Sequence, residues 1–314
     1  MYSLDELVRS ADPAKGRNLA TEAESEAMLE RILATPRRDS ARRTRRRPLL
    51  MLAAATLTAG TLVTGAGLVL DPAQQQAYAA TPPPLHLQEN AEASAAEVLE
   101  EVAATAERLP SPAIPENAAA HFEREMWSLF TRIDGKQVTS RIVPQHYEIW
   151  IRPDGTRKQT IEEDGTTRTT QGSAAGDPSA PEGEGAEAMK RWVLAAGDGS
   201  GAGAFFDRYP EKALDRVFTP KQRAALLRAM ASFDGVEYNG TVTDRSGRRG
   251  AAFSVESDFG GLPSKQTLII DPATGNLMAY ESMLTKDPGE LKVKIPAVTQ
   301  YVTFLKGEYV SNAE

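Results

Sequence analysis

In residues 42–72, RRTRRRPLLMLAAATLTAGTLVTGAGLVLDP, five arginines (Arg42, Arg43, Arg45, Arg46 and Arg47) run into 23 residues without a charge, Pro48 to Leu70. As a helix rising about 1.5 Å per residue, such a run covers about 34 Å, against about 30 Å of bilayer hydrocarbon. Leu49, Leu52, Leu57, Leu62, Val63, Leu68 and Leu70 are spread along it, and no polar face interrupts them. A soluble domain seldom buries so long a helix on every side, so the pattern predicts a transmembrane helix over 48–70. Basic residues crowd its N-terminal flank, Arg37 and Arg38 included, and the next one after it is Arg108. Positive charge stays inside, so residues 1–47 are expected to be cytoplasmic and the rest extracytoplasmic, with the protein in the plasma membrane.

Cleavage is the rival. Ala77-Tyr78-Ala79 has the small-x-small form of a signal cleavage site, and Arg42-Arg43 has the form of a twin-arginine signal. A signal core is about 7–15 residues, shorter than this run. Residues 1–47 also carry more pattern than a signal needs. Ser3 with Glu6, and Thr21 with Glu24, have capping-box spacing. Leu4, Leu7 and Val8 form one apolar stripe, and Met28, Leu29, Ile32 and Leu33 another. Two helices so short are marginal alone. The segment is either a largely disordered tail or one that folds on a cytoplasmic partner. Its arginines suit contact with anionic membrane lipid.

Charge separates the two sides. Residues 1–47 carry a net charge of +3 and residues 71–314 one of −10. An acidic outer part argues against nucleic-acid binding there. With no cysteine in the chain, disulfides, thiol catalysis and cysteine-bound metal are excluded. Residues 71–90 hold TPPPLHLQ and are expected to be a stiff spacer ahead of a domain spanning 91–314. AEASAAEVLEEVAATAERLP predicts a helix stopped by Pro110.

The period then becomes two. Alternating apolar runs separated by DGK, DGT and DGT predict an antiparallel meander, with Tyr147, Ile149 and Ile151 on one face and His146, Glu148 and Trp150 on the other. A low-complexity stretch near 171–186 is expected to be disordered. Two helices are expected after it, AEAMKRWVLAA and TPKQRAALLRAMASF, the second with Thr219 as cap and Gln222 completing a capping box. Strands return from Gly235, where Val236, Tyr238 and Val242 alternate. The fold class is α+β, with a curved antiparallel sheet of eight or nine strands and packed helices.

Chemistry-bearing motifs are sparse. His86, His121 and His146 lack metal-ligand spacing, although the last two could meet across a hairpin. GDGSGAGA, at 197–204, follows a helix and not a strand, which favours a loop over a phosphate cradle. Glu162-Glu163-Asp164 lacks the calcium-loop pattern. Trp127, Trp150 and Trp192 are expected in the core or on the sheet. No catalytic, cofactor or metal residue is assigned.

WSLFTRIDGKQVTSRIVP, the block from Gly235 to Leu284, and DPGELKVKIPAVTQYVTFL resemble the ectodomain of an actinobacterial, Streptomyces-like family of single-pass membrane proteins known by a locus-tag name. The resemblance implies the same topology and no transferable catalytic residues. Family members are often encoded beside extracytoplasmic-function sigma factors, which implies a regulatory role with a sigma factor as cytoplasmic partner. In fold class the outer part also resembles lipoprotein carriers and periplasmic sigma regulators. The expectation is a non-enzymatic sensor or regulator with an outer binding domain of unknown ligand. The alternative is an extracytoplasmic carrier of a lipid or other apolar ligand.

Overall fold

A computed structural model describes residues 79–87, 93–134, 137–173, 181, 183–195, 197 and 199–311. The expected span at 48–70, its arginine cluster and the two capped patterns before it lie outside these residues. Among the described residues no helix is long and apolar enough to cross a membrane.

Nine strands form one antiparallel sheet: β1 (Ala119–Asp134), β2 (Gln137–Ile151), β3 (Thr156–Glu163), β4 (Thr166–Ser173), β5 (Glu237–Thr243), β6 (Arg249–Ser257), β7 (Ser264–Ile270), β8 (Leu277–Leu284) and β9 (Ala297–Val310). Their order across the sheet is β4-β3-β2-β1-β9-β8-β7-β6-β5. Two meanders are thus joined by the pairing of β1 with β9. Asp164 (φ 49°) and Gly165 (φ 72°) make the tight turn between β3 and β4, the left-handed pair that suits a two-residue hairpin. Irregularities interrupt four ladders, β1–β9, β5–β6, β7–β8 and β8–β9, and such bulges bend and twist a sheet. One of them corrects the expected alternation of β5. Between Tyr238 and Thr241 the register slips at Gly240 (φ 74°), so Tyr238 packs on Phe253 while Val242 joins the opposite face.

Helices cover one face of the β5–β9 half. They are α1 (Ala95–Glu107), α2 (Ala186–Leu194), α3 (Ala202–Ala213) and α4 (Pro220–Ala231). In α4 the Thr219 hydroxyl accepts from the Gln222 amide and the Gln222 side chain accepts from the Thr219 amide, closing the expected capping box. α1 lies along α4, and Arg228 reaches across to Glu100 and Glu107 at 2.9 Å each. Leu99, Phe205, Leu226, Leu227, Met230 and Leu268 fill the space between helices and sheet, all fully buried.

α3 was not expected from the sequence. Glycines at its start and Pro210 inside it mask its periodicity, yet it supplies Phe205, Phe206 and Tyr209 to the core. Gly203 lets it approach β6, because a Cβ there would sit 2.0 Å from the Ser257 hydroxyl oxygen. The expected spacer also differs. Residues 79–87 do not stand free but lie against the sheet face opposite the helices, where Leu85 and Leu87 pack with Val242, Ala252, Ile269, Met278, Ala279 and Tyr301. β4 runs on to Ser173 and α2 begins at Ala186, so regular structure enters both ends of the low-complexity stretch; residues 174–180 and 182 lie outside the described residues.

Candidate functional site

The strap formed by residues 79–87 is held by a charge pair from two different elements. Arg245 lies in the turn between β5 and β6. Asp244 makes that turn rigid: its Oδ1 accepts from the amides of Ser246 (2.9 Å) and Arg248 (2.8 Å). Its Oδ2 accepts from Arg248 Nε (2.8 Å), while Arg248 also donates to the carbonyls of Phe304 and Met278. Arg245 then projects over the sheet. Its guanidinium carbon stands 4.5 Å from the Tyr301 ring centroid and 5.2 Å from that of Trp127, and the two rings are themselves stacked.

Arg245 Nη2 donates to the Pro83 carbonyl (2.8 Å) and to Glu281 Oε2 (2.6 Å). The other carboxylate oxygen of Glu281 accepts from the Leu85 amide at 3.2 Å. One ion pair therefore satisfies a carbonyl and an amide of the strap, as a neighbouring strand would. Glu281 is 4 % exposed, and the Nε of Arg245 is buried with no hydrogen-bond partner among the described residues. Burial pushes the Tyr301 phenol up to about 12, so it remains a neutral hydroxyl and accepts from the Arg245 amide at 3.0 Å.

Burial also raises the Glu281 carboxyl above the usual glutamate value, outweighing Arg245 and the Leu85 amide, which favour its charged form. A carboxyl raised in this way binds its proton more tightly in the native than in the unfolded chain. Its contribution to stability is present below the unfolded value and is lost as pH rises through the folded one. The stability advantage of the wild type over Glu281→Gln is therefore expected to shrink as pH is raised from about 4 to about 7, measured by urea unfolding.

Clefts border the strap face. One of about 890 Å³ is lined by Leu85, Leu87, Val236, Tyr238, Lys265 and Met283. Another, of about 580 Å³, is bordered by Trp127, Pro144, His146, Glu125 and Glu162. Beside the second cleft, His121 and His146 share a sheet face but do not pair with each other. His121 stacks on Trp150 (3.8 Å between centroids, 8° between planes) and hydrogen-bonds Glu148 at 3.2 Å. His146 lies 3.7 Å from Glu123, which Lys306 holds at 2.6 Å. That lysine keeps the Glu123 carboxyl below its usual value. Among the described residues no group of three or more His, Asp or Glu is placed to hold a metal ion.

The glycine-rich stretch is a helix junction. Arg208 donates to the carbonyls of Leu194 (3.0 Å) and Gly199 (3.4 Å), tying α2 and the loop to α3. Trp192 is in the core, as expected, and Trp127 and Trp150 lie on the sheet. The sequence pointed to neither Arg245 nor Glu281. One signal was available: Glu281 is a lone acid within LMAYESML, an otherwise apolar strand.

No family model matches the sequence, and no curated protein matches it. Among solved structures, a DUF1329 family protein from Desulfovibrio piger is 8% identical, with 71% of this chain and 96% of that one covered at a TM-score of 0.19. A domain from Vibrio parahaemolyticus described as an outer membrane lipoprotein-sorting protein is 9% identical, with 70% and 93% covered at a TM-score of 0.17. Neither likeness is close enough to argue from.

Proposed function

We propose that this chain is a single-pass, non-enzymatic membrane protein whose outer domain binds a ligand on the strap face and signals its occupancy through the strap. The observation that carries this reading is the Arg245–Glu281 latch on Pro83 and Leu85. The strap begins nine positions after Leu70, the last residue of the expected span. A ligand that competes with the strap for the sheet changes the tension or freedom of the link to the membrane. The cytoplasmic segment, with its two capped patterns, is the natural receiver, and the family resemblance makes a sigma factor the first partner to try.

The test is a topology scan with reporters fused after residue 47 and after residue 90, with N-terminal sequencing of the mature chain. The expected result is a cytoplasmic first reporter, an extracytoplasmic second one and no cleavage. Cleavage after Ala79 would separate the domain from residues 1–47 and end the signalling reading. Retention of a sigma factor on immobilised residues 1–47 is the matching partner test, and no specific retention removes that partner.

A second reading, a carrier of a lipid or other amphipathic ligand, rests on the cleft where Leu85, Leu87, Val236, Tyr238 and Met283 stand beside Glu237, Asn239, Glu256 and Lys265. A smaller space of about 230 Å³ lies between helices and sheet, lined by Tyr209, Phe218, Arg223, Leu277 and Phe304, so the roomier cleft beside the strap is the first place for such a ligand. Mass spectrometry of organic extracts from the purified protein tests it, and recovery of no stoichiometric lipid counts against it.

A further inference from the structure

The longest hairpin outruns its sheet. β1 and β2 stay paired from Ala120↔Ile151 to Asp134↔Gln137. β9 follows β1 only as far as Ser128, and β3 follows β2 only from Gln145 onward. Residues 129–134 and 137–142 therefore form a two-stranded arm that runs beyond the sheet. Its apolar content is unusual for such a place. Leu129↔Ile142 and Ile133↔Val138 share one face, and Phe130↔Arg141 lies on the other. Phe130 is 50% exposed and Ile133 55%. Only two further large apolar side chains, Ile114 and Tyr309, are exposed among the described residues, and Tyr309 less so. Exposed Arg132 and Arg141 share the Phe130 face, and Arg141 also pairs with Asp164 at 3.4 Å. A lone ribbon gains little stability from apolar side chains left in water, so these residues point to something they touch.

The position of the arm identifies what it touches. Ala79, where the strap begins, donates its amide to the Lys292 carbonyl at 2.7 Å. It packs in a small cluster with Leu284, Val293, Ala297 and Leu129. Leu129 is the root of the arm. The arm thus leaves the sheet at the end where the chain arrives from residues 71–78. Those eight residues reach at most about 30 Å even when fully extended. The chain therefore reaches Ala79 from residue 70 within that length, and the arm advances ~13 Å from Leu129 to Ile133. Apolar side chains with arginines on the opposite face of the same ribbon suit the boundary of headgroups and acyl chains, where the guanidinium stays with the headgroups and the stem lies along the hydrocarbon.

We propose that the ribbon from Leu129 to Ile142 is a membrane-contacting arm that lays the face carrying Leu129, Ile133, Val138 and Ile142 into the bilayer carrying the anchor. The proposal rests on the anchored reading above. The arm and the anchor are two attachments, and together they set the orientation of the sheet over the lipid.

The absence of cysteine makes the test clean. The full chain is reconstituted in phosphatidylcholine–phosphatidylglycerol vesicles with a single environment-sensitive label, at Ile133→Cys or, as control, at Thr170→Cys on the exposed edge strand β4. Brominated lipid is expected to quench the label at 133 at least about twofold more than the label at 170. Equal quenching at the two positions overturns the arm, as does a label at 133 shielded from aqueous iodide but untouched by brominated lipid, the outcome for a second copy of the chain. Alkaline carbonate extraction of the unlabelled chain reads the anchor separately. A chain that washes off overturns the anchored reading and the arm with it.

Discussion

Replacing Glu281 by alanine is expected to destabilise the outer domain by about 3 kcal/mol, near the low end for breaking a buried ion pair. The substitution leaves the Arg245 guanidinium over the Trp127 and Tyr301 rings without its carboxylate, and the Leu85 amide without its acceptor. Arg245 is 23% exposed, so water recovers part of the loss, which is why the lower figure applies. The strap should also come loose. Limited proteolysis is expected to cut within residues 79–87 before the rest of the domain, and a lower urea midpoint should accompany it. The double variant Arg245→Met with Glu281→Leu is the control: it removes the unpaired charge and should recover part of the stability, while the Pro83 carbonyl and Leu85 amide stay without their partners and the strap stays loose. Unchanged midpoints and an uncut strap in Glu281→Ala would mean that the ion pair is not what holds the strap.

Phe205→Ala is expected to cost about 3–5 kcal/mol, the range for truncating a fully buried aromatic. Phe205 has no exposed surface and meets Tyr209 and Phe233 at 5.8 and 5.3 Å between ring centroids. The same truncation at Phe130, half exposed on the arm, should stay within about 0.5 kcal/mol in solution. Thermal or urea unfolding of the two variants side by side checks both. A similar loss at the two positions would mean that Phe130 is buried by something in solution.

The contrast between these phenylalanines also shows what could be read from residues in order. The meander, the Asp-Gly turns at 154–155 and 164–165, the faces of β2 and the Thr219 capping box depend on neighbours in sequence, and the structure contains them; the turn expected at 134–136 lies partly outside the described residues. α3 was hidden because its determinants are tertiary. A Gly-rich start and an internal proline weaken any local helix signal, and only contact with Ser257 explains why position 203 must lack a side chain. The bulge at Gly240 turned Val242 to the other face for a comparable reason, since one inserted residue reverses everything after it. The latch was the least legible feature. Pro83 and Leu85 lie 162 and 196 positions from their partners Arg245 and Glu281, and a proline-rich run reads as a stiff rod until the surface beneath it is known. Glu281 alone broke pattern, as a charge inside an apolar strand.

The seam between β1 and β9 has a consequence for how the domain is made. It is the one ladder in the sheet that joins strands distant in the chain, Ala119 pairing with Val310. Every other strand finds its partner next door. During synthesis at about 5–20 residues per second, β1 waits on the order of 10–40 s for β9 to appear. Throughout that delay β1 has a free edge, open to wrong partners. Closing so long a loop is also slow in itself, because its entropy is lost before the pairing repays it. Completion of the sheet is therefore a late, single event set by the last strand, and a nascent chain stopped short of β9 is two unjoined halves, each with an edge available for aggregation.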